Sequence, residues 1–157
     1  MNNIKNGIRQ IKTGILKKQE KENVITFISV GSTRDQQIII VNMALMYGQA
    51  NEKTVIIDSD FGSDSLVETF GLKDKKGLSD YLNDRSIDLD NITNEISGQN
   101  TSVITPGTLD VSETKYLLGD PRFKLLINEL SLNYGKILIN TPSFERIDTL
   151  SNYISVS

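Results

Sequence analysis

The stretch that decides the fold begins with Val24-Ile-Thr-Phe-Ile-Ser-Val30 and continues through the polar loop Gly31-Ser-Thr-Arg-Asp35. An apolar helical pattern then runs from Gln36 to about Ala50, and a second apolar strand, Thr54-Val-Ile-Ile-Asp58, leads into Asp58-Ser59-Asp60. A strand, a short loop, a long helix and a second strand form the first βαβ unit of a nucleotide-binding α/β domain. In such a unit a phosphate lies at the N-terminus of the helix, just beyond the first strand.

The loop between this strand and this helix lacks the residues that hold a nucleotide. A P-loop has the pattern Gly-x-x-x-x-Gly-Lys-Ser/Thr, in which backbone N–H groups surround the phosphates, the lysine neutralises their charge and the hydroxyl binds Mg²⁺. Here the last three positions are Asp35, Gln36 and Gln37. We therefore expect a nucleotide-site fold whose nucleotide site has been dismantled. The vestigial loop consists of Gly31, Ser32, Thr33, Arg34, Asp35, Gln36 and Gln37.

Composition excludes several kinds of chemistry. The chain of 157 residues contains no cysteine and no histidine. Disulfides, Cys/His metal sites, thiol nucleophiles and histidine bases are therefore excluded. The longest apolar run, Ile38 to Val41, is too short to span a bilayer. We expect a cytoplasmic protein whose domain covers residues 23–157. We expect no metal site and no cofactor.

Charge is distributed unevenly along the chain. Residues 1–22 carry six basic and two acidic side chains, whereas the rest carries eleven basic and eighteen acidic ones. A basic arm on an acidic body suggests contact with a neighbouring subunit, with this body or with anionic lipid at the inner face of the membrane. The body has no basic stripe and few aromatic residues, so no nucleic-acid partner is expected.

The basic arm itself has a helical pattern. Ile4, Ile8, Ile11 and Ile15 follow helical spacing and predict one apolar stripe over residues 3–18. The charged residues that follow predict a linker that ends at residue 22. The stripe is consistent with packing on its own domain, with a contact between subunits or with a membrane surface.

The remainder of the chain alternates strands with helices. Residues 83–100 are polar and predict a weak amphipathic helix at best. Strands separated by helices predict a three-layer α/β/α fold with a mostly parallel sheet, which is the P-loop NTPase-like architecture. The predicted segments are short helices over Asp64 to Phe70 and Gly77 to Leu82, a strand over Ser102 to Thr105, a helix from Asp120-Pro121 to about Tyr134 and a strand over Lys136 to Asn140. The buried face of the last helix is assigned to Phe123, Leu125, Leu126, Leu130 and Leu132.

Several of these segments match one known family in order. The chain resembles the bacterial tyrosine kinases of capsule and exopolysaccharide synthesis, which are P-loop ATPases related to the division and partition ATPases. The matching segments are Thr54-Val-Ile-Ile-Asp58-Ser-Asp60, Phe70-Gly-Leu, Gly77-Leu-Ser-Asp-Tyr-Leu82, Leu117-Leu with Pro121-Arg-Phe123, and Ile137-Leu-Ile-Asn140-Thr-Pro142. Asn6-Gly-Ile-Arg9-Gln-Ile-Lys12-Thr also resembles the family's N-terminal helix, which implies oligomerisation through Arg9 and Lys12.

The resemblance assigns the catalytic positions one at a time. The Walker A lysine and the following Ser/Thr fall on Gln36 and Gln37, and the Walker B aspartate falls on Asn140. Only the Walker A′ aspartates are retained, as Asp58 and Asp60. An amide at each of the other positions cannot neutralise phosphate or replace the ligands of Mg²⁺.

Three further differences from the family bear on activity. The family's C-terminal tyrosine cluster is absent, with Tyr153 alone near the end, and the family's last strands are missing, so the chain is a shortened homologue or a fragment. Asp35 would repel phosphate but suits the positive end of the helix dipole, where we expect it to act as a cap in place of the phosphate. Arg34 is the one loop residue that could supply the missing charge.

The resemblance implies a catalytically inactive, tyrosine-kinase-like protein with a regulatory or scaffolding role in polysaccharide synthesis. Its implied partners are a transmembrane polysaccharide co-polymerase or adaptor, an active kinase paralogue, or further copies of itself. One alternative is a divergent, active MgATP-dependent tyrosine kinase that uses Arg34 with Asp58 and Asp60. Another is a relative of the partition and septum ATPases that works at the membrane surface through its basic N-terminal helix.

Overall fold

The computed structural model describes residues 23–31, 33–144 and 150–157. The predicted N-terminal helix with Arg9 and Lys12, the linker to residue 22, and Ser32 lie outside these ranges. The domain boundary at residue 22 therefore stays a prediction. In the part of the chain that is described, no helix is both long enough and apolar enough to cross a membrane.

One five-stranded sheet forms the centre of the fold, in the order β1-β5-β2-β4-β3. Strands β1, β5, β2 and β4 are parallel, and only β3 runs antiparallel, against β4. The first expected βαβ unit is therefore present, but β5 lies between its two strands. The strands are β1 Val24–Phe27, β2 Thr54–Asp58, β3 Asn94–Ile96, β4 Thr101–Ile104 and β5 Lys136–Asn140.

Helices cover both faces of this sheet, as expected for strands that are almost entirely buried. The helices are α1 Arg34–Gln49, α2 Ser65–Phe70, α3 Leu78–Asn83, α4 Leu89–Ile92, α5 Pro121–Asn133 and α6 Ser151–Ile154. Helices α1 and α2 pack on one face, where Ile40, Ala44 and Leu66 meet Ile56 and Leu138. Helices α3 to α6 supply the core on the opposite face. This is the predicted three-layer α/β/α architecture.

Strand β3 is a feature that the sequence did not predict. The expectation for residues 83–100 was a weak amphipathic helix at best, whereas the structure forms the one-turn helix α4 and then the edge strand β3. Asn94 stabilises this edge because its side-chain Nδ2 donates to the carbonyl of Val103 at 3.1 Å. A three-residue polar edge strand carries too short a pattern to be recognised without its partner.

Two boundaries near the candidate site also differ from expectation. Strand β1 ends at Phe27 rather than Val30, and α1 begins at Arg34 rather than Gln36. The connection between them therefore covers residues 28–33, and it places the N-terminus of α1 at the carboxyl ends of the parallel strands. Gly31 takes a left-handed conformation in this connection, with φ of 93°.

Helix α5 begins as predicted, but fewer of its leucines are buried than the sequence predicted. Asp120 is the N-cap, and its side chain accepts from the N–H of Arg122 at 2.9 Å, with proline at the first helical position. Phe123, Leu126 and Leu130 are buried, whereas Leu125 and Leu132 are exposed by 59% and 84%. The assignment of those two leucines to the core was wrong, because they fall outside the stripe that starts at Phe123.

Candidate functional site

The candidate site lies where β2 and β5 end beside the N-terminus of α1. Asp58 and Asn140 are direct neighbours in the parallel register of these strands, and both are completely buried. Asn140 Nδ2 donates to Asp58 Oδ1 at 2.9 Å, and the N–H of Asp60 donates to the same oxygen at 3.0 Å. The strand pairing thus brings together the three positions that the resemblance assigned to the Walker A′ and Walker B motifs.

Gln36 connects this pair to helix α1. Its side chain is buried, and Nε2 donates to Asn140 Oδ1 at 2.9 Å and to the carbonyl of Thr141 at 3.0 Å. Both amide protons of Gln36 are therefore used. A continuous hydrogen-bond chain runs from α1 through Asn140 to Asp58.

The direction of this chain follows from its chemistry. An ionised Asp58 can only accept hydrogen bonds, so Asn140 must turn its NH₂ group towards it and its carbonyl oxygen towards Gln36. Gln36 must then donate. Two buried oxygens, Gln36 Oε1 and Asp58 Oδ2, have no hydrogen-bond partner among the described residues, and the same is true of Ser29 Oγ, two residues beyond β1.

Burial gives Asp58 unusual acid–base behaviour. The pKa of its carboxyl is raised from 3.8 to about 7, chiefly because the group is removed from water and to a smaller extent because of the nearby charges of Asp60 and Asp64. Hydrogen bonds from Asn140 and from the N–H of Asp60 oppose this rise. Asp58 therefore changes its protonation state near neutral pH while it is held inside the protein.

Gln37 ties the same end of α1 to the loop after β2. It is buried, and its Nε2 lies 3.4 Å from Ser63 Oγ. Ser63 Oγ in turn accepts from the N–H of Ser65, the first residue of α2. The two glutamines therefore fix the N-terminus of α1 on two sides, Gln36 to the end of β5 and Gln37 to the β2–α2 loop.

The other loop residues face outward or lie at the helix start. Thr33 is the N-cap of α1 but makes no side-chain capping hydrogen bond, and the N–H of Gln37 donates to its carbonyl at 3.0 Å. Arg34 and Asp35 are exposed residues of the first helical turn. The expectation that Asp35 caps the helix was wrong, because the helix starts earlier and places Asp35 within it. Asp35 still contributes a negative charge to the first turn.

Two residues near the site had no signal in the sequence. Ser59, between the two aspartates, is completely buried, and its Oγ donates to the carbonyl of Asn140 at 2.7 Å. The hydroxyl of Tyr153 on α6 lies 2.9 Å from Ser59 Oγ. Tyr153 is therefore part of the support beneath the site. Only the fold brings α6 to this place, so periodicity along the chain could not indicate the contact.

These features define the class of protein. A parallel sheet with helices on both faces, in which the first loop leads into a helix N-terminus beside the carboxyl ends of β2 and β5, is a P-loop NTPase-type α/β fold. Solved structures of this class match the chain. The kinase domain of Escherichia coli tyrosine kinase ETK covers 92% of this chain with a TM-score of 0.76 at 19% sequence identity. MinD from Pyrococcus horikoshii, solved with Mg-ADP, covers 85% with a TM-score of 0.66 at 21% identity.

Sequence comparison identifies the homologues as bacterial tyrosine-protein kinases. One of them is the Staphylococcus aureus protein named "Putative tyrosine-protein kinase CapB". It is 27% identical to this chain over 150 residues, and the match covers 94% of this chain. No protein-family model matches the sequence. The chain spans 65% of CapB and 55% of the ETK kinase domain, less than two thirds of each.

Proposed function

We propose that this chain is a catalytically inactive, tyrosine-kinase-like protein that regulates or scaffolds capsular or exopolysaccharide synthesis. The names of its homologues support the link to tyrosine kinases. The observation that carries the inactive state is the buried hydrogen-bond chain from Gln36 through Asn140 to Asp58. It occupies the position where a nucleotide-binding relative needs a free cation.

MgATP does not fit these residues. Phosphate binding requires a positive charge and free donors at the helix N-terminus, whereas the Gln36 amide is neutral and already donates to Asn140 and Thr141. Opening the site would break both hydrogen bonds. It would also place phosphate close to the buried carboxylates of Asp58 and Asp60 without the cationic side chain of a Walker A lysine.

The magnesium ligands are equally poor. Gln37 is too long to replace the compact hydroxyl of a Ser or Thr, and its amide lies against Ser63. Asn140 presents a carbonyl oxygen in place of a carboxylate, and that oxygen accepts from Gln36. Hydrated Mg²⁺ prefers carboxylates and substrate phosphates, so neither residue is a good ligand.

A protein without phosphoryl transfer acts through its contacts. Its proposed partners are an active tyrosine-kinase paralogue, a transmembrane polysaccharide co-polymerase or adaptor, and further copies of itself through the basic N-terminal segment with Arg9 and Lys12. The uneven charge of the sequence supports an electrostatic contribution to such contacts. Its proposed location is the cytoplasm, at the inner face of the membrane.

A phosphoryl-transfer assay tests the inactive state. The purified chain is incubated with labelled MgATP and a tyrosine-containing peptide, beside the triple variant Gln36→Lys, Gln37→Thr, Asn140→Asp. We expect no transfer by the wild-type chain. The triple variant restores the charge, the hydroxyl and the carboxylate together. If thermal unfolding shows that this variant binds a nucleotide, the fold itself can carry a nucleotide site. Transfer by the wild-type chain would contradict the proposal.

One observation favours a second candidate, a divergent active kinase. Asp58 has a pKa of about 7, which suits a general base at neutral pH. Arg34, exposed at the helix start, would have to supply the positive charge. This candidate predicts phosphorylation that disappears in both Asp58→Ala and Arg34→Ala, and the absence of any transfer by the wild-type chain excludes it.

A further inference from the structure

One tyrosine differs from the others in exposure. All five tyrosines of the chain lie within the described residues. Tyr81, Tyr134 and Tyr153 are buried, and Tyr47 is half-buried, whereas Tyr116 is 77% exposed. Tyr116 is therefore the most exposed tyrosine of the chain.

The less exposed tyrosines are held by specific contacts. Tyr134 Oη donates to Ser102 Oγ at 3.0 Å, and Tyr153 Oη lies 2.9 Å from Ser59 Oγ. The Arg122 guanidinium lies 3.9 Å from the ring centroid of Tyr81. A kinase could reach these rings only after local unfolding.

The loop around Tyr116 is held in a shape that presents the ring. Tyr116 has φ of 68°, a left-handed conformation that is uncommon for a residue with a side chain, and it lies between two 3₁₀ turns, Val111–Glu113 and Leu117–Gly119. Before it, Thr114 Oγ1 donates to the carbonyl of Val111 at 2.6 Å. After it, Leu117 and Leu118 pack against the core. Both flanks are anchored, so the ring between them points outward.

Lys115 provides charge beside the exposed ring. Its Nζ lies 5.2 Å from the Tyr116 ring centroid. A phosphate on the phenol oxygen would carry close to two negative charges and could form a charge-assisted hydrogen bond with a lysine in this position. The loop can therefore stabilise a phosphorylated tyrosine as well as expose an unmodified one.

The loop also borders the candidate site. A cavity of about 330 Å³ separates Tyr116 and Lys115 from Ser59, Asp60 and Tyr153. A new double negative charge at the rim of this cavity would change the electrostatic potential beside Ser59 and Asp60. Phosphorylation there would therefore alter what binds at this cavity.

We propose that Tyr116 is a phosphate acceptor for an active tyrosine kinase, an inference that rests on the proposed role of this chain as a partner of such a kinase. The Tyr116 phenol oxygen forms a bond to the γ-phosphorus of ATP bound to the partner. The bond from that phosphorus to the β–γ bridging oxygen breaks, a base of the partner takes the phenol proton, and ADP leaves.

Phosphorylation by a purified kinase tests this assignment. The full chain is incubated with MgATP and an active tyrosine kinase of the capsule type, and peptide mass spectrometry locates the phosphate. Binding to the same kinase is measured separately by calorimetry. Tyr116→Phe is compared with Tyr47→Phe, which removes a half-buried hydroxyl instead. We expect one phosphate on Tyr116 in the wild-type chain and in Tyr47→Phe. In Tyr116→Phe, we expect no more phosphate than in a sample without kinase.

Four outcomes separate this inference from the function on which it rests. Binding with phosphate on Tyr116 supports both. Binding without phosphate, or with phosphate on another tyrosine, overturns the assignment and leaves the partnership intact. Phosphate on Tyr116 without stable binding supports the assignment and argues against a scaffolding complex. Neither binding nor phosphate overturns both.

Discussion

The side-chain amide of Gln36 connects the N-terminus of α1 to the end of β5. Its Nε2 donates to both Asn140 Oδ1 and the carbonyl of Thr141. Without it, two buried acceptors would lose their donor. The cost of leaving a buried polar atom unsatisfied is therefore the appropriate measure of its contribution.

The substitution Gln36→Ala should lower the free energy of unfolding by about 1–3 kcal/mol, because Asn140 Oδ1 and the carbonyl of Thr141 become unpaired. Urea unfolding of the wild-type chain and the variant measures this difference. Gln49→Ala, at the exposed last position of the same helix, is the matched control. Equal losses in the two variants would show that the buried hydrogen bonds contribute nothing.

Asp58 should make stability fall as pH rises. Its folded-state pKa of about 7 lies above the ordinary value of 3.8, so between these values the folded chain holds a proton that the unfolded chain has released. Its contribution therefore declines across this window and is lowest above pH 7. Each pKa unit corresponds to about 1.4 kcal/mol.

The substitution Asp58→Asn removes the buried charge and should flatten this dependence. Urea unfolding at about pH 5 and about pH 8 should show a gain in stability, relative to wild type, that is larger at the higher pH. Asp90→Asn, at an exposed position, serves as the control. Parallel pH curves for wild type and Asp58→Asn would rule out a raised pKa at this position.

The candidate residues came from motif positions, but their connections did not. Through the resemblance, motif position assigned Gln36, Asp58 and Asn140 to the Walker motifs. It could not show that the amides donate in one direction towards Asp58, since that depends on side-chain distances. The support from Tyr153 was also beyond prediction, because α6 reaches the site only through the fold.

Helices α3 and α5 depend on Arg122 for their mutual position. The Arg122 guanidinium donates to the carbonyls of Tyr81, Asp84 and Ile87 and stacks on the ring of Tyr81. These carbonyls belong to the C-terminal end of α3 and the loop that follows, where helical carbonyls lack partners within the helix. Arginine can satisfy several of them at once because its donors form a rigid, planar fork.

The substitution Arg122→Lys should lower the free energy of unfolding by about 1–3 kcal/mol, since lysine keeps the charge but cannot reach three carbonyls together. Thermal or urea unfolding measures the loss. Arg85→Lys, the same change at an exposed position in the loop after α3, should have little effect. If the two variants are equally stable, Arg122 does not connect α3 and α5.

The overall architecture was predictable because most elements carry strong local signals. The apolar runs of β2 and β5 and the Asp120-Pro121 start of α5 give these elements from sequence alone. The signals failed where an element is short or is defined by its neighbours. Strand β3 has three residues and pairs only with β4, and the exposure of Leu125 and Leu132 depends on how α5 sits on the sheet.

The whole molecule combines a P-loop NTPase-type fold with a buried hydrogen-bond network at the candidate site. Gln36 and Gln37 fix the start of α1 to the end of β5 and to the β2–α2 loop. Under the proposed function, a nucleotide would have to displace these contacts before it could bind. The central claim is therefore that the folded state gains no stability from MgATP or MgADP.

Thermal unfolding with and without millimolar MgATP and MgADP tests this claim most directly. A ligand at about 100 times its Kd stabilises the folded state by about 2.7 kcal/mol, which raises the Tm of a chain of this size by several degrees. We predict no shift for the wild-type chain and a shift for the Gln36→Lys, Gln37→Thr, Asn140→Asp variant. A shift of several degrees in the wild-type chain would contradict the account.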